Sequence, residues 1–513
     1  MKTKFYLKWH NKLGWFAGIA LCLFALSGLL HPLMVWTGPK AKAFFPPQTK
    51  VQAEQISAVN TILTKRGITQ PEIVKVVAAE NGPLLQVTNN KGMSRRYFDL
   101  DSQLELMNYD LQQAKWLAVY YSGLPQDQIA SVELKTSFDS EYPWVNRLLP
   151  VYKVSYDTED GLNVFVFTET NSLASINNTW KSRIQTLFGF IHTWNWLDDI
   201  ESLRLMAMSC LLLSVLGLAL SGSALVLLFK KRKIKNKDRH WHRKLAANLL
   251  WLPLLMFAIS GFYHLLQTSL GDNYRGLNVS KKIDLTLLSS FEKTHWQTQY
   301  QDIILNGLSL VQLESGELAY RLSLPAARPG ETLTSQQRFD GSPIEKTALY
   351  LNVETGKEIA LTDKERVERL TRTFFKLSDD TALESELITR FGVHYDFRNK
   401  RLPVWQVRVL DSDVGRIFID PVSDVLVDRL VDTQRYETYA FSFLHKWNFL
   451  TPVVGRLVRD IVLAALMILT LIFSILGFRM KLKARSKPAE LQPDMITDET
   501  VSKWSEFWSI KTK

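Results

Sequence analysis

The sequence predicts an α+β membrane protein, with four transmembrane helices arranged as two parallel helix–domain–helix repeats and an exported α+β domain inside each repeat. Three observations carry this reading. Four stretches hold no Asp, Glu, Lys or Arg: Leu13 to Pro39, Leu205 to Phe229, Leu245 to Leu270 and Ile461 to Phe478. A short pattern, F-x-H-x-W-N-x-L, occurs twice, as Phe190 to Leu197 and as Phe443 to Leu450. Basic residues gather on one side of every apolar stretch.

The expected order is a cytoplasmic N-terminus (1–12), a helix (13–37), an exported domain (38–200), a second helix (201–229) and a basic cytoplasmic loop (230–244). A third helix (245–270), a second exported domain (271–455), a fourth helix (456–479) and a cytoplasmic tail (480–513) follow. A helix rising about 1.5 Å per residue needs about 20 residues to cross a hydrocarbon core of about 30 Å, and each stretch is near that length. The first stretch has the basic flank of a secretory signal and Ala41-Lys42-Ala43 resembles a cleavage site. It is much longer than the roughly 7–15 apolar residues of a signal, so an uncleaved helix is expected.

Lys2, Lys4, Lys8 and Lys12 precede the first helix with no acid among them, and the loop from Lys230 to Lys244 sets nine Lys and Arg against Asp238. The tail from Arg479 carries eight basic residues against five acidic ones. The excess of Lys and Arg in short cytoplasmic segments places both termini and the middle loop in the cytoplasm and exports the two long segments. Topology therefore accounts for the net charge of +11. Nucleic acid is not an expected partner, whereas the lipid bilayer is.

Cys22 and Cys210, the two cysteines, fall inside predicted spans. They provide no disulfide framework, no Cys-x-x-Cys pair and no covalent haem attachment motif.

The repeat extends beyond its signature. Asn146 to Val154 (NRLLPVYKV) matches Asn399 to Val407 (NKRLPVWQV), and Pro150 precedes His192 by the same 42 residues that separate Pro403 from His445. Trp9-His10-Asn11-Lys12-Leu13 answers Trp241-His242-Arg243-Lys244-Leu245, and Ser27 to His31 answers Ser260 to His264. Within the exported segments, Ala53 to Lys65 reads as a helix and Ile73 to Glu80, Asn81-Gly82 and Leu84 to Thr88 as a hairpin. Further strands are expected at Val151 to Tyr156, Leu162 to Thr168, around Tyr350 to Lys357, at Val404 to Leu410 and around Phe418. Thr497 to Ile510 places Val501, Trp504, Phe507 and Trp508 at helical spacing, an amphipathic helix lying on the membrane surface or docking on the cytoplasmic loop.

Six of the nine histidines form three repeat-related pairs: His10 with His242, His31 with His264, and His192 with His445. A single interfacial histidine is usually a tolerated amphipathic residue. Three matched pairs shift that balance. His10 and His31 are 21 residues apart, roughly 31 Å along a helix, so each of these helices carries one histidine near each mouth. Two imidazoles facing each other across an apolar bundle meet the demand of a six-coordinate, non-covalent haem, whereas zinc more often recruits Cys or carboxylates. The expectation is two b-type haems. His10 and His242 are the inner iron ligands, and His31, His264, His192 and His445 are the outer candidates, with no choice among them available from sequence. Arg204, Arg456 and Arg459 stand where they would pair with haem propionates or else snorkel to the interface. His240 belongs with the basic loop. His295 and His394 lie in the second exported segment, where His394, beside Tyr395, Asp396 and Arg398, is a candidate substrate contact.

Taken together, the twice-repeated helix–domain–helix unit, His10-x-x-x-Gly14 and the turns of Tyr/Phe-x-Asp/Glu-x-x-Gly type resemble the PepSY-associated transmembrane family, also described as iron-regulated membrane proteins. The resemblance covers the chain to about Arg485 and points within that family to ferric-siderophore reductases of the FoxB type. Ala246 departs from it where the first half has Gly14, and the turn glycine is clear only at Gly356. The resemblance implies PepSY-like modules, two per half, in periplasmic domains of a bacterial inner-membrane protein. It implies reduction of a ferric siderophore or other ferric chelate by a dihaem oxidoreductase, with release of Fe(II). No dinucleotide fingerprint or phosphate loop is present, so the electron donor is expected to be a quinol or a separate cytoplasmic reductase. The competing expectation is a non-catalytic, PepSY-type binding or regulatory membrane protein. A transporter has little support, because no span carries a charged or broken centre.

Overall fold

The computed structural model describes residues 2–485, apart from position 91 and segments 229–235, 271–277, 280–281, 287, 289–304, 306, 325–333 and 343–346. His295, the first part of the basic loop and the expected amphipathic helix after Thr497 lie outside the described residues. Two units are present: one drawn from Met1–Leu26, Ser202–Ile259 and Asp460–Lys513, the other from Ser27–Glu201 and Ser260–Arg459.

Among the described residues four helices are long and apolar enough to cross a membrane: Phe16–Thr37, Asn195–Leu228, Lys237–Ser269 and Asn448–Lys483. They coincide with the four uncharged stretches, as expected where every backbone N–H and C=O must be satisfied inside the segment. Their ends are less regular than the sequence implies. Helix Lys2–Leu13, which carries His10, ends at a turn where Gly14 donates to the His10 carbonyl (3.1 Å), and a new helix begins at Phe16. In the second half, helix Lys237–Leu245 passes through a π-turn, Ala246–Leu250, before Trp251–Leu270. Gly14 and Ala246 thus each stand at a backbone irregularity four residues after a histidine, a turn in the first half and a π-turn in the second. The last helix, Thr451–Arg485, is interrupted at Gly455, whose φ of 77° only glycine adopts readily.

The second unit is built on three antiparallel sheets. Strands β1 (Ile73–Ala79), β2 (Gly82–Thr88), β3 (Arg96–Asp99) and β4 (Glu105–Leu106) are followed by β5 (Ile129–Lys135), β6 (Val151–Tyr156), β7 (Asn163–Phe167) and β8 (Ser172–Asn177). The later segment provides β9 (Asn278–Val279), β10 (Gly307–Gln312), β11 (Leu318–Ser323), β12 (Ala348–Asn352), β13 (Glu358–Ile359), β14 (Leu383–Ile388), β15 (Val404–Val409), β16 (Arg416–Asp420) and β17 (Val425–Leu430). Eight strands form one sheet in the order β13-β12-β11-β10-β1-β2-β3-β4; the others are β5-β6-β7-β8 and β14-β15-β16-β17-β9.

The eight-stranded sheet joins the two long segments between the spans, which sequence alone presents as separate domains. Its seam pairs Val74 with Leu310 and Val76 with Leu308. β1 is buried along its whole length, and so is β10. Left as edges, both would expose a row of unpaired backbone groups on an apolar strand, and pairing with each other removes that liability. Ile56, Val59 and Ile62 of helix Ala53–Lys65 pack with Val74, Leu85, Leu308 and Leu310 in a core contributed by both segments.

The four strands β5 to β8 are covered by helix Tyr109–Ser122, through Ala114, Leu117 and Tyr121. Helix Asp363–Phe375 covers β14 to β17 in the same way, through Val367 and Leu370. A buried Tyr precedes each matched proline and donates to the chain six residues on, Tyr142 to the Leu148 carbonyl (2.9 Å) and Tyr395 to the Arg401 carbonyl (3.0 Å).

A buried ion network crosses between the segments. Lys75 reaches Glu169 (2.6 Å), Glu169 reaches Arg401 (2.5 Å) and Arg401 reaches Asp420 (2.5 Å). Burial by itself raises the Glu169 carboxyl, but Arg401 and Lys75 outweigh it and hold it down at about 2.

Candidate functional site

Two groups of histidines stand out, each within one unit. In the first unit, the ring centres of His10 and His242 are 6.4 Å apart, with planes inclined at 66°. Each ring lies against a helix that its own sequence neighbourhood does not contain. His10 Nδ1 is 3.3 Å from Ser221 Oγ, on the Glu201–Leu228 helix. His242 stacks on Phe473 of the last helix, at 4.1 Å and 8°. Glycines make room: a Cβ at Gly222 would come within 3.3 Å of His10 Cε1, and one at Gly477 within 3.6 Å of His242 Cε1.

The separation of these rings has a chemical meaning. An imidazole–metal bond of about 2 Å on each side, plus roughly 1 Å from each coordinating nitrogen to its ring centre, sets ring centres roughly 6 Å apart across one metal ion. The pair therefore fits a single iron between two imidazoles. With Nδ1 of His10 facing Ser221, Nε2 is the nitrogen left for a ligand bond.

His31, His192, His264 and His445 make up the second group. His192 lies in the π-turn Gly189–Thr193 and His445 in the π-turn Ala440–His445. Such turns insert one residue into the helical ladder and re-aim the side chains around it. Ser27 Oγ is 2.8 Å from His192 Nδ1 and Ser260 Oγ is 3.2 Å from His445 Nδ1. Phe188 stacks on His192 (4.7 Å) and Phe441 on His445 (4.9 Å). The partners are matched in sequence as well, each Phe four residues before its histidine and each Ser four before His31 or His264.

The F-x-H-x-W-N-x-L pattern builds these turns. Trp194 and Trp447 have left-handed φ values of 53° and 51°, and each indole N–H donates to the carbonyl three residues back (3.1 Å in both). Asn448 donates to Ser442 Oγ (3.0 Å) and accepts from Arg459. Arg459 thus braces the turn after His445. Arg456 is exposed, and Arg204 is partly buried on the Glu201–Leu228 helix.

His192 and His445 precede the spans, and burial is the main cause that lowers both. His31 and His264 push His192 further, to about 4; His192 and His264 push His445 to about 3. Both are neutral at pH 7, the form that ligates metals. His264 differs, with Nδ1 2.5 Å from Glu437 and its ring stacked on Phe441 at 3.8 Å. His31 is exposed and meets Phe188 edge-on at 6.5 Å.

The other residues singled out by the sequence fall elsewhere. His240 is exposed next to Trp241. His394 abuts Tyr439 (5.3 Å), and its Nε2 is buried with no hydrogen-bond partner among the described residues. Cys22 and Cys210 are free thiols. Among the described residues no three His, Cys, Asp or Glu side chains converge on one metal position. A haem asks only two side chains of the protein, since its macrocycle supplies the other four nitrogens.

Sequence reasoning missed Ser221, Ser27, Ser260, Phe188, Phe441, Phe473 and Glu437. The matched Phe and Ser positions were visible as repeat identities, but nothing local linked them to the histidines they touch. Compared with known proteins, the chain matches no protein-family model and no curated sequence.

Proposed function

We propose that this chain is a dihaem b-type oxidoreductase of the bacterial inner membrane that passes electrons across the bilayer to a ferric chelate in the periplasm. The observation that carries the reading is the 6.4 Å separation of the His10 and His242 rings, the spacing two axial imidazoles require. When bound, a six-coordinate b haem supplies reversible one-electron chemistry. His10 and His242 would hold one of the two haems. His192 and His445 would hold the other, because both are partly buried and neutral and each is oriented through Nδ1 by a serine, the outer-sphere contact that fixes a ligand's tautomer. His31 and His264 flank that site.

Phe188, Phe441 and Phe473 cover the imidazoles they stack on, and Arg204 and Arg456 are candidate partners for propionates. The two halves are parallel repeats, supported by their paired π-turns, their Tyr–carbonyl contacts and their covered four-stranded units, and the latter serve as PepSY-like modules. Both termini lie in the cytoplasm and the three sheets in the periplasm. Electrons enter from a quinol or a cytoplasmic reductase. Reduction of the chelated iron weakens its hold on hard oxygen ligands and frees Fe(II) for uptake.

A reduced-minus-oxidised spectrum and pyridine haemochrome assay on detergent-purified protein test the reading. The expected result is a b-type α-band and two haems per chain. A preparation without an α-band ends it, and a non-catalytic PepSY-type binding protein then takes precedence.

A further inference from the structure

Beside His445 the second unit concentrates cations that, among the described residues, lack carboxylate partners. Arg338 lies over Phe44 (4.8 Å) and Phe339 (4.9 Å), Lys400 over Phe397 (5.1 Å) and Lys446 over Phe441 (4.6 Å). Lys181 is satisfied by a backbone carbonyl, that of Ile176 (2.6 Å). Among the described residues none of these four makes an ion pair, and Arg398 alone has one, with Asp396 (2.8 Å).

Several contacts draw Arg338, Arg398, Lys400 and Lys446 toward one place, and Lys181 joins them through its electrostatic effect on Lys400. The Phe391 N–H donates to the Arg338 carbonyl (2.8 Å), and Phe44 packs edge-on against Phe391 (5.6 Å). His394, on the same loop as Arg398 and Lys400, meets Tyr439, which stacks on Phe443 (5.7 Å) in the turn that leads to His445 and Lys446.

A basic face is ordinarily a solvated one. Here every one of the five side chains is partly buried. Burial lowers Lys181 to about 8. Burial also lowers Lys400 to about 8, with Asp396 opposing and Lys181, Arg338 and Arg398 adding to the drop. Like charges desolvated together are unfavourable until an anion joins them. Aromatic rings under the cations supply a flat apolar floor and a modest attraction of about 0.5–1 kcal/mol each.

We infer that Lys181, Arg338, Arg398, Lys400 and Lys446 form a receptor for a ligand that presents carboxylate groups next to His445. The ligand is either an anionic ferric chelate or the propionates of a haem held at His192 and His445. The inference deepens the proposed reductase reading by giving its substrate a charge, and rests on that reading only for what is done with the ligand.

The test is calorimetric titration of the purified full-length protein with gallium(III) citrate, a redox-inert carboxylate chelate, and with gallium(III) desferrioxamine, which carries no carboxylate. Haem content and midpoint potentials are measured on the same samples. Binding of the citrate complex alone is expected, weakened at least tenfold by Lys400→Gln, Arg338→Gln or Lys446→Gln, weakened by added salt, and restored by Lys400→Arg. Circular dichroism of each variant confirms that the strands persist. If citrate does not bind but these variants lose haem or lower one midpoint potential, the carboxylates are the haem's own. If neither binding nor haem properties depend on these cations, the inference is overturned. A haem-free preparation that binds gallium citrate would overturn the oxidoreductase reading while sustaining the anion receptor.

Discussion

The His10–His242 pair and the four-histidine group hold their imidazoles by different means. In the pair, helix packing does more: Phe473 stacks on His242, whose Nδ1 has no hydrogen-bond partner among the described residues, glycines leave room for both rings, and only His10 meets a serine, Ser221 at 3.3 Å. In the larger group, local turns aim His192 and His445, and a serine from another helix secures each. Packing sets a distance, whereas a hydrogen bond to Nδ1 sets a tautomer and a ring orientation. The first arrangement depends on four helices staying close. The second depends on a motif that the chain writes twice.

Removing a ligand is the strongest way to break this comparison. His10→Ala or His242→Ala should abolish one of the two haems, halve the pyridine haemochrome signal and cut ferric-chelate reduction about 100-fold, while the other haem keeps its spectrum. Loss of both haems from a single substitution would mean that the groups are not independent.

The next largest effect belongs to the buried network that ties together the segments bearing His192 and His445. Glu169→Gln leaves Lys75 and Arg401 undercompensated and should destabilise the second unit by about 3–5 kcal/mol, read as a lower unfolding transition, with the His10–His242 spectrum retained. The folded-state value of Glu169 is depressed, so its stabilisation is complete above its ordinary range near 4.5 and is lost as pH falls from there to about 2. Acid unfolding that is unchanged in Glu169→Gln would remove the network from this role.

Serine substitutions sharpen the contrast between the groups. Ser27→Ala and Ser260→Ala should each weaken haem retention about 10-fold or more, as loss of an orienting partner does in metal sites. Ser221→Ala should have less effect, because only one ring of that pair meets a serine and His242 Nδ1 has no hydrogen-bond partner among the described residues. Equal losses from all three would show that both groups rely on hydrogen bonding alike. Smaller again is the pH response of the cationic receptor. Affinity for gallium citrate should fall severalfold between pH 7 and pH 9, since Lys181 and Lys400 lose protons near 8 rather than in the usual lysine range. A flat profile over that interval would exclude both lysines from the ligand.

Much of this architecture was legible in the amino-acid sequence, but unevenly. The four spans follow from missing charge, and the Asn81-Gly82 hairpin from turn chemistry, because both signals are local in the chain. The three histidine pairs were visible as repeat identities. The partners of those histidines were not, for Ser27 and His192 are 165 residues apart and Ser260 and His445 are 185 apart. The exported segments also read as two domains, since each has its own helix and hairpins.

By itself the sequence determined where helices and strands form and which residue types recur, since uncharged runs and alternating patterns act over a few residues. Only the tertiary structure decided that β1 pairs with β10, that a serine from a distant helix secures His192, and that His394 meets Tyr439 in the approach to His445. Those outcomes depend on which buried surfaces and polar atoms can satisfy one another across the folded chain, and no local pattern encodes that.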